Sequence, residues 1–319
     1  MTEQTFDQYS GERWVTAVQV ATVWTSAVSP REVDRPGITN PTDIDQWLAC
    51  LTYETRLALS EENRVQSQLL YGEPVVVTET DVEWAHVVIP TQSSIKDERG
   101  YPGWVPLAQL KRVGSSYWER TFSAAVTDKT LWLENESGEK MMKLSYMTIL
   151  PVINETEDRV RVAAPHGDRF LPKEGVELFR SKHGLEKQPG TQLITDGERH
   201  LGLSYFWGGM SAFGYDCSGF TYAMHKANGY LIPRDASDQV QAGEVVPAGE
   251  LQPGDLLFFA YEEGKGKVHH VGFYCGDGKM LHSPQAGKGI EVIPLAGTKY
   301  EKELCATRRY WQETEGRSS

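Results

Sequence analysis

Residues 216–230 read DCSGFTYAMHKANGY, and this stretch decides how the C-terminal part of the chain is interpreted. Phe220 and Met224 recur at helical spacing on one face, and the Asn-Gly pair suits the end of a helix. Asp216 is placed to cap the first turn, so Cys217 is predicted to open the helix. Because the N-terminus of a helix carries partial positive charge, we expect the pKa of the Cys217 thiol to lie below that of a free cysteine.

Strand-like segments follow this helix, in the order DLLFFAY, VHHVGFYCGDG, KMLHSP and GIEVIPL. The Gly-Asp-Gly sequence within them is typical of a tight hairpin turn. One helix followed by a meander of antiparallel strands predicts a domain of the α+β class.

Two adjacent histidines lie in the second of these segments. Strand alternation sends His270 to one face of the sheet and His269 to the other. Val271 and Phe273 share the face of His269, so we assign that face to packing and His270, beside Gly272, to the open side. His282 follows twelve residues after His270, across the hairpin, and is predicted to lie on the neighbouring strand.

These positions predict a catalytic relay, because a reactive cysteine needs a base that is distant in sequence. Cys217 would be the nucleophile, His270 its base, and His282 the group that orients the base. The residues alone leave another interpretation open. A cysteine at a helix start can be a packed apolar residue, and histidines on strands are often structural.

The N-terminal part of the chain is rich in short strands, such as VTAVQVATVW and EPVVVTET. Residues 43–59, with Thr42 as a possible cap, have helical spacing, and we interpret them as an insertion in a small β-barrel. A weak repeat, Trp-Val-Pro at 104–106 and Phe-Leu-Pro at 170–172, indicates a second barrel in which a strand again ends at a proline. The predicted domains are a barrel with a helical insertion at 1–115, a second barrel at 116–185 and a catalytic domain at 186–315.

Charge and cysteine content limit the possible partners. The net charge is −12, from 32 basic and 44 acidic residues, and no cluster of Lys and Arg stands out, so we expect neither nucleic acid nor an anionic membrane as a partner. The four cysteines form no CxxC pair, which disfavours structural zinc and a disulfide scaffold.

The opening MTEQTFDQYSGERW lacks the features of a secretory signal and no stretch predicts a membrane span, so a cytoplasmic location is expected. The alternative is a secreted or cell-wall protein whose signal has been removed.

Three longer segments resemble the NlpC-type cell-wall cysteine peptidases in order and spacing over about 100 residues. They are YFWGGMSAFGYDCSGFTYAMHKANGYLIPRDASDQ, LQPGDLLFF and HHVGFYCGDGKMLHSP. The resemblance implies a papain-like fold, in which a helix-borne cysteine packs on an antiparallel sheet, and it implies Cys217, His270 and His282 as the triad. The two barrels resemble bacterial SH3-like domains. The implied reaction is hydrolysis of the γ-D-glutamyl-diamino acid bond of peptidoglycan stem peptides, without metal or cofactor.

The pair of SH3-like segments resembles a branch that trims free peptides during murein recycling and recognises an unblocked N-terminal L-Ala. That branch implies a substrate pocket, and the matching positions here are Glu73, Tyr101, Tyr205, Asp216, Ser218, Asp235 and Ala236. The implied ammonium contacts are Asp235, Glu73 and Tyr101, while Ser218 and the backbone at Asp216 would hold a carboxylate. Tyr205 matches a tyrosine near the thiol. An alanine at 236 lacks the side-chain hydrogen bond that a small polar residue would make.

Several of these residues also have plainer interpretations. Tyr205 suits a core aromatic, Asp235 a turn or helix cap, and Glu73 an exposed acid at a strand end. Other functions fit the same chain: a hydrolase of intact peptidoglycan, a catalytically dead cell-wall-binding adaptor, or an amidase or acyltransferase that uses the same thioester. The diamino acid, meso-diaminopimelate or lysine, and the oligomeric state are left open.

Overall fold

The computed structural model describes residues 11–312, which divide into two compact units. The first unit holds the described residues up to Thr91 together with Lys96–Gly184 and Met210–Phe213. The second holds Gln92–Ile95, Leu185–Gly209 and the described residues from Gly214 onward. The outer ends of the predicted first and third domains, 1–10 and 313–315, lie outside the described residues.

The first unit begins with an antiparallel sheet that has seven strands within the described part of the chain. They are β1 (Glu12–Thr16), β2 (Val20–Trp24), β3 (Val65–Leu70), β4 (Pro74–Asp81), β5 (Trp84–Ile89), β6 (Tyr101–Pro106) and β7 (Leu110–Gly114). Their order in the sheet is β3-β2-β6-β5-β4-β1-β7. Ala85, Val87 and Ile89 are fully buried at every second position of β5, as expected for a strand with one face in a core.

A second seven-stranded antiparallel sheet lies later in the first unit, again counted over the described residues. Its strands are β8 (Phe122–Val126), β9 (Thr130–Glu134), β10 (Lys140–Ser145), β11 (Ile149–Glu155), β12 (Arg159–Val162), β13 (Arg169–Pro172) and β14 (Val176–Arg180). The order β10-β9-β13-β12-β11-β8-β14 repeats the order of the first sheet strand for strand. The weak sequence repeat falls on equivalent places: Pro106 ends β6, Pro172 ends β13, and a 3-10 turn follows each.

The predicted helical insertion is present between β2 and β3, but it is not one helix. It contains α1 (Arg35–Ile38), α2 (Ile44–Cys50) and α3 (Tyr53–Glu61). Asp43, rather than Thr42, caps α2 by accepting a hydrogen bond from the backbone of Gln46 at 2.9 Å. Thr52 then caps α3 from within the stretch predicted to be continuous, because its side chain accepts from a backbone N–H of the new helix. Later in the first unit come α4 (Ser115–Trp118) and β15 (Met210–Ser211).

The second unit has the α+β order that the sequence predicted. Its elements are β16 (Gly214–Tyr215), α5 (Gly190–Glu198), α6 (Cys217–Ala227), α7 (Ala236–Gln239), β17 (Glu244–Val245), β18 (Leu256–Ala260), α8 (Tyr261–Gly264), β19 (Val268–Gly276), β20 (Lys279–His282), β21 (Glu291–Pro294), α9 (Lys299–Glu303) and β22 (Leu304–Arg309). The antiparallel sheet has the order β17-β22-β18-β19-β20-β21. The meander is therefore β18 to β21, and β22 returns to pair with β18.

Helix α6 packs on β19. The ring of Phe273 lies 5.8 Å from that of Phe220 and 5.5 Å from that of His225. Every side chain from Cys217 to His225 is buried, so the helix has no solvent face over this length, whereas the sequence suggested a single apolar face. No helix among residues 11–312 combines the length and apolar character needed to cross a bilayer.

The hairpin between β19 and β20 places two functional candidates on neighbouring strands. Asp277 and Gly278 both have positive φ, 51° and 68°, which is the conformation of a type I′ turn. Glycine adopts it without strain and aspartate tolerates it, so the Gly-Asp-Gly sequence fits this tight turn.

His225 gives the second unit a pH-dependent stability that can be measured. Burial lowers the pKa of His225 to about 4, below its unfolded value near 6.5. The stabilisation is therefore fully present above pH 6.5 and is lost as the pH falls toward 4. Between pH 7 and pH 5 we expect this residue alone to remove roughly 2 kcal/mol of unfolding free energy.

Urea denaturation of the wild type and of His225→Phe at both pH values checks this expectation. Phenylalanine preserves the stacking on Phe273 but cannot titrate, so the variant should lose less stability on acidification than the wild type. The same loss in both proteins would contradict the assignment.

Candidate active site

Cys217 is the first residue of α6, and the carboxylate of Asp216 holds the chain in place around it. One carboxylate oxygen accepts from the backbone N–H of Gly219 at 2.6 Å, which is the predicted N-cap bond. The other accepts from the backbone N–H of Gly208 at 2.9 Å, in the turn directly after Trp207. The cap therefore fixes both the start of the helix and a neighbouring glycine-rich turn.

The pKa of Cys217 is raised to about 12, so the expectation of a lowered value is wrong. Burial is the largest cause, and the negative charge of Asp216 is the next. Backbone N–H groups of Val271 and Ser218 act in the opposite direction by donating toward the sulfur. The side chain is only 9% exposed, and the cost of removing a thiolate from water outweighs the helix N-terminus. Both of the larger causes favour the neutral thiol over the thiolate.

The two histidines of the predicted relay are in contact. Nε2 of His270 lies 2.7 Å from Nδ1 of His282, so one of these nitrogens carries the hydrogen and donates a hydrogen bond to the other. Both rings are buried. The sulfur of Cys217 lies beside the same strand, since it receives the N–H of Val271, the residue directly after His270.

His269 does not belong to this contact. The pairing of β18 with β19 shifts at this point, with Phe259 opposite His270 and Ala260 opposite Val268, so His269 is the extra residue of a β-bulge. Its ring stacks on Tyr261 at 4.2 Å. Its Nε2 lies 3.2 Å from a carboxylate oxygen of Glu303.

His270 is not on an open face, which corrects the interpretation from strand alternation. The residue is 3% exposed, because Tyr300 of α9 stacks on its ring at 5.2 Å and Phe259 lies 5.8 Å away. Burial holds the pKa of His270 well below its ordinary value, and charge on His282 adds to the effect. This shift favours the neutral imidazole, which is the form that can act as a base. Tyr300 carried no sequence signal, because it lies about 30 residues from His270 in an unremarkable segment.

Tyr205 lies close to the thiol. Its pKa is raised well above the ordinary value, first by burial and then by the charges that Cys217 and Asp216 would carry. The hydroxyl therefore keeps its proton and can donate a hydrogen bond beside the sulfur. The interpretation as a core aromatic is also partly correct, since the side chain is buried.

Arg234 is a residue of this site to which the sequence analysis gave no role of its own. Its guanidinium is 1% exposed and donates to Asp216 at 2.7 Å and to the hydroxyl of Ser218 at 2.9 Å. Its backbone N–H donates to the carbonyl of Ser93 at 3.0 Å, in the short segment Gln92–Ile95 that belongs to the second unit. The guanidinium also donates to the second Asp216 oxygen at 3.3 Å, and its positive charge offsets part of the negative charge that disfavours the Cys217 thiolate.

Asp235 and Ala236 follow directly at the start of α7. Asp235 is the N-cap residue, as the plainer interpretation suggested, but its side chain makes no capping bond. That side chain is 26% exposed, and one oxygen lies 4.0 Å from the guanidinium of Arg234. Ala236 is half-buried as the first residue of the helix.

The other two predicted pocket residues belong to the first unit. Glu73 is buried rather than an exposed strand-end acid, and its carboxylate accepts from the hydroxyl of Thr91 at 2.6 Å and from the N–H of Leu70 at 3.0 Å. Tyr101 is also buried, and its hydroxyl accepts from the ammonium of Lys96. The remaining predicted site residues lie in the second unit. Among residues 11–312, no group of three or more His, Cys, Asp or Glu side chains is placed to hold a metal ion.

A cysteine at the start of a buried helix, packed on an antiparallel sheet that carries a pair of bonded histidines, defines a papain-like cysteine peptidase. A comparison with protein families agrees. The profile of the NlpC/P60 family matches residues 202–309, and the profile described as the YKFC SH3b2 domain matches residues 126–179.

Known proteins resemble the chain over nearly its whole length. A protein of Bacillus subtilis named gamma-D-glutamyl-L-lysine dipeptidyl-peptidase is 45% identical, over 92% of this chain and 97% of the relative. A protein of the same name from Bacillus cereus is 39% identical, over 92% and 89%. The crystal structure of an NlpC/P60 family protein from Bacillus cereus superposes with a TM-score of 0.90 at 37% identity, covering 94% of this chain and all of that one. The chain belongs to the NlpC/P60 family and is a cysteine peptidase.

The Asp216–Arg234 pair should be essential to the stability of the second unit. Arg234→Met leaves a buried carboxylate without its partner, which we expect to cost about 3 to 5 kcal/mol of unfolding free energy. Asp216→Asn combined with Arg234→Met should lose less than the sum of the two single variants, because neither charge is then left alone. Urea denaturation of the four proteins measures this coupling, and strict additivity would contradict it.

The protonation state of the site can be tested by alkylation. With the pKa of Cys217 near 12, its rate of reaction with iodoacetamide should rise steadily between pH 6 and pH 9 without a plateau. Peptide mapping separates Cys217 from the other three thiols, and exposed Cys305 serves as an internal reference. A plateau that begins below pH 7 would indicate a thiolate-imidazolium pair instead.

Proposed function

We propose that this enzyme hydrolyses the bond between γ-D-glutamate and the diamino acid of peptidoglycan stem peptides. The observation that carries the proposal is the 45% identity to the Bacillus subtilis relative across 97% of that protein, whose name specifies a γ-D-glutamyl-L-lysine bond. The buried thiol and its histidine pair supply the nucleophile and the base for an acyl transfer of this kind. The substrates are thus peptides derived from peptidoglycan.

The reaction begins with both partners neutral. His270 accepts the thiol proton of Cys217 as the sulfur attacks the γ-carbonyl carbon of glutamate, and a tetrahedral oxyanion forms. The protonated Tyr205 hydroxyl and first-turn N–H groups are the donors we assign to that oxyanion. The imidazolium of His270 then gives its proton to the departing amine, and the C–N bond breaks to leave a thioester.

Water completes the cycle. His270, neutral again, takes a proton from the water molecule that attacks the thioester, and the carboxylic acid leaves as the sulfur recovers a proton from the imidazolium. Burial favours this order of proton transfers in two ways. It keeps the base neutral before the substrate arrives, and it removes water that would screen the charges formed in the transition state.

We also propose that the substrate has a free N-terminal L-Ala. The relatives' names support this, because a dipeptidyl-peptidase releases a dipeptide from an amino end, and L-Ala-γ-D-Glu is a dipeptide of that kind. Asp235, partly exposed beside the site, is the acid of the second unit that we assign to the ammonium. Ser218, also in the second unit, is proposed to hold the α-carboxylate of glutamate.

A cytoplasmic location is part of the proposal. All four cysteines, which fall within the described residues, are free thiols, and Cys50 and Cys305 are exposed. Exposed free thiols persist in a reducing compartment. Fractionation of the producing cell checks this: recovery of the protein in the culture medium or the wall would support the secreted alternative.

The triad variants test the chemistry. Cys217→Ala and His270→Ala should each leave less than a tenth of wild-type kcat, a loss above about 1.4 kcal/mol, because no other group replaces nucleophile or base. His282→Ala should be intermediate, since water can partly replace an orienting group. His269→Ala is the matched control, because the side chain of His269 contacts Glu303 and not the relay. An active His270→Ala beside an inactive His269→Ala would reverse the assignment.

The substrate pair L-Ala-γ-D-Glu-L-Lys and its N-acetyl form tests the specificity. We expect kcat/KM to be about one to two decades higher for the free tripeptide, because the acetylated peptide loses a charge-assisted hydrogen bond to the partly exposed Asp235, worth about 1.5 to 3 kcal/mol. Asp235→Asn should bring the kcat/KM values of the free and the acetylated tripeptide closer together. A further peptide, in which meso-diaminopimelate replaces lysine, compares the two diamino acids.

Mass spectrometry of the products separates the remaining alternatives. Equal rates on the free and acetylated peptides would favour a hydrolase of intact peptidoglycan. Cleavage at another bond would indicate an amidase or acyltransferase, and no turnover would indicate an adaptor.

A further inference from the structure

The second nitrogen of His282 faces an acid on the next strand. His282 ends β20 and Glu291 begins β21, and the register of these antiparallel strands places the two residues directly opposite each other. Nε2 of His282 is buried and has no hydrogen-bond partner within normal distance. A carboxylate oxygen of Glu291 lies 3.7 Å from this nitrogen.

A histidine relay works in only one proton arrangement. For His270 to accept a proton from Cys217, its free nitrogen Nδ1 must carry a lone pair, so Nε2 must carry the hydrogen. That hydrogen is donated to Nδ1 of His282 across the 2.7 Å contact. His282 must therefore be protonated on Nε2, the nitrogen that faces Glu291. The opposite tautomer of His282 would donate to His270 and leave a hydrogen on Nδ1, where the base is needed.

We propose that Glu291 is a positioning residue for the catalytic histidine pair: its carboxylate accepts from Nε2 of His282 and thereby keeps both rings in the tautomers that leave Nδ1 of His270 free. The inference rests on the triad of the proposed function. It extends that triad by one residue, which the sequence analysis did not identify.

The geometry supports a direct contact. The 3.7 Å separation exceeds the usual hydrogen-bond distance of about 2.9 Å by less than 1 Å, so the proposed contact requires only a small movement of the Glu291 side chain. Glu291 is the only acid paired in register with His282 on β21, and its side chain is 38% exposed, so it has room to move. Carboxylates commonly fix the tautomer of a functional histidine in this way.

A competing role for Glu291 is a surface ion pair. The ammonium of Lys288 lies 3.7 Å from the same carboxylate oxygen. A pair of this kind contributes little to stability, so it predicts small effects and no change in the histidine tautomers. Lys288→Ala breaks this pair while it leaves the carboxylate beside His282, and so it separates the two roles.

Steady-state kinetics with the free tripeptide provides the first test. Glu291→Ala should lower kcat about tenfold, the value of one hydrogen bond to a charged group, while KM changes less than twofold. Glu291→Gln retains an oxygen acceptor and should recover most of the activity. Lys288→Ala and Glu244→Ala should stay within twofold of the wild type. Glu244 is a matched control, because it lies on β17 at the opposite edge of the same sheet.

Identification of the histidine tautomers by NMR provides a second test that does not depend on the substrate. With ¹⁵N-labelled histidine, His282 in the wild type should show a protonated Nε2 and an unprotonated Nδ1, and His270 should show a protonated Nε2. Glu291→Ala should populate the opposite tautomer of His282, and Glu291→Gln should restore the original one. Assignment uses His282→Gln and His270→Gln as references.

The outcomes are distinct. An unchanged tautomer in Glu291→Ala overturns the proposal even if kcat falls, and an equal loss in Lys288→Ala assigns the effect to the surface pair. If the wild type does not cleave γ-D-glutamyl peptides, the proposed function fails, while the NMR comparison still decides the role of Glu291.

Discussion

The carboxylate of Asp216 is the constraint on which the catalytic domain depends. It caps α6, binds the turn at Gly208 and pairs with the buried guanidinium of Arg234. A carboxylate removed from water is tolerated only when its hydrogen-bonding capacity is met, and here two backbone donors and an arginine meet it. The same contacts determine where Cys217 stands, because the nucleophile is the residue directly after the cap. Removing one partner would therefore affect the fold and the chemistry together.

Burial disfavours a preformed ion pair between Cys217 and His270. The pKa of Cys217 is raised and that of His270 is lowered, both chiefly by desolvation, so both shifts favour the neutral forms. A charged pair would need compensation from its surroundings, and the nearest charge to the thiol, Asp216, is negative. The proton therefore moves to His270 during attack on the carbonyl, when the negative charge passes from sulfur to an oxyanion with donors of its own.

Local sequence was enough to predict the parts of the site that depend on local rules. Asp216 caps its helix because of its position, and His270 meets His282 because a two-residue turn fixes the register of β19 and β20. The failures arise where distant residues intervene. Tyr300, from α9, covers the face that alternation left open for His270, and Thr52 divides a helix whose apolar spacing continues past it. No local pattern reports a desolvation energy, so the direction of the Cys217 pKa shift was also missed.

The position of the histidine pair within the sheet has a mechanistic consequence. His270 lies on a central strand, and its partner His282 lies on the next strand toward the edge, beyond which only β21 follows in the described sheet. Ladder hydrogen bonds hold the two backbones in register, so the 2.7 Å contact between the rings does not depend on a flexible loop. The β-bulge at His269 turns the ring of that residue toward Glu303 and away from the relay. A sheet edge that ends in an acid opposite His282 thus combines a rigid backbone with an adjustable side chain. This arrangement suits a group that must hold one tautomer through repeated proton transfers.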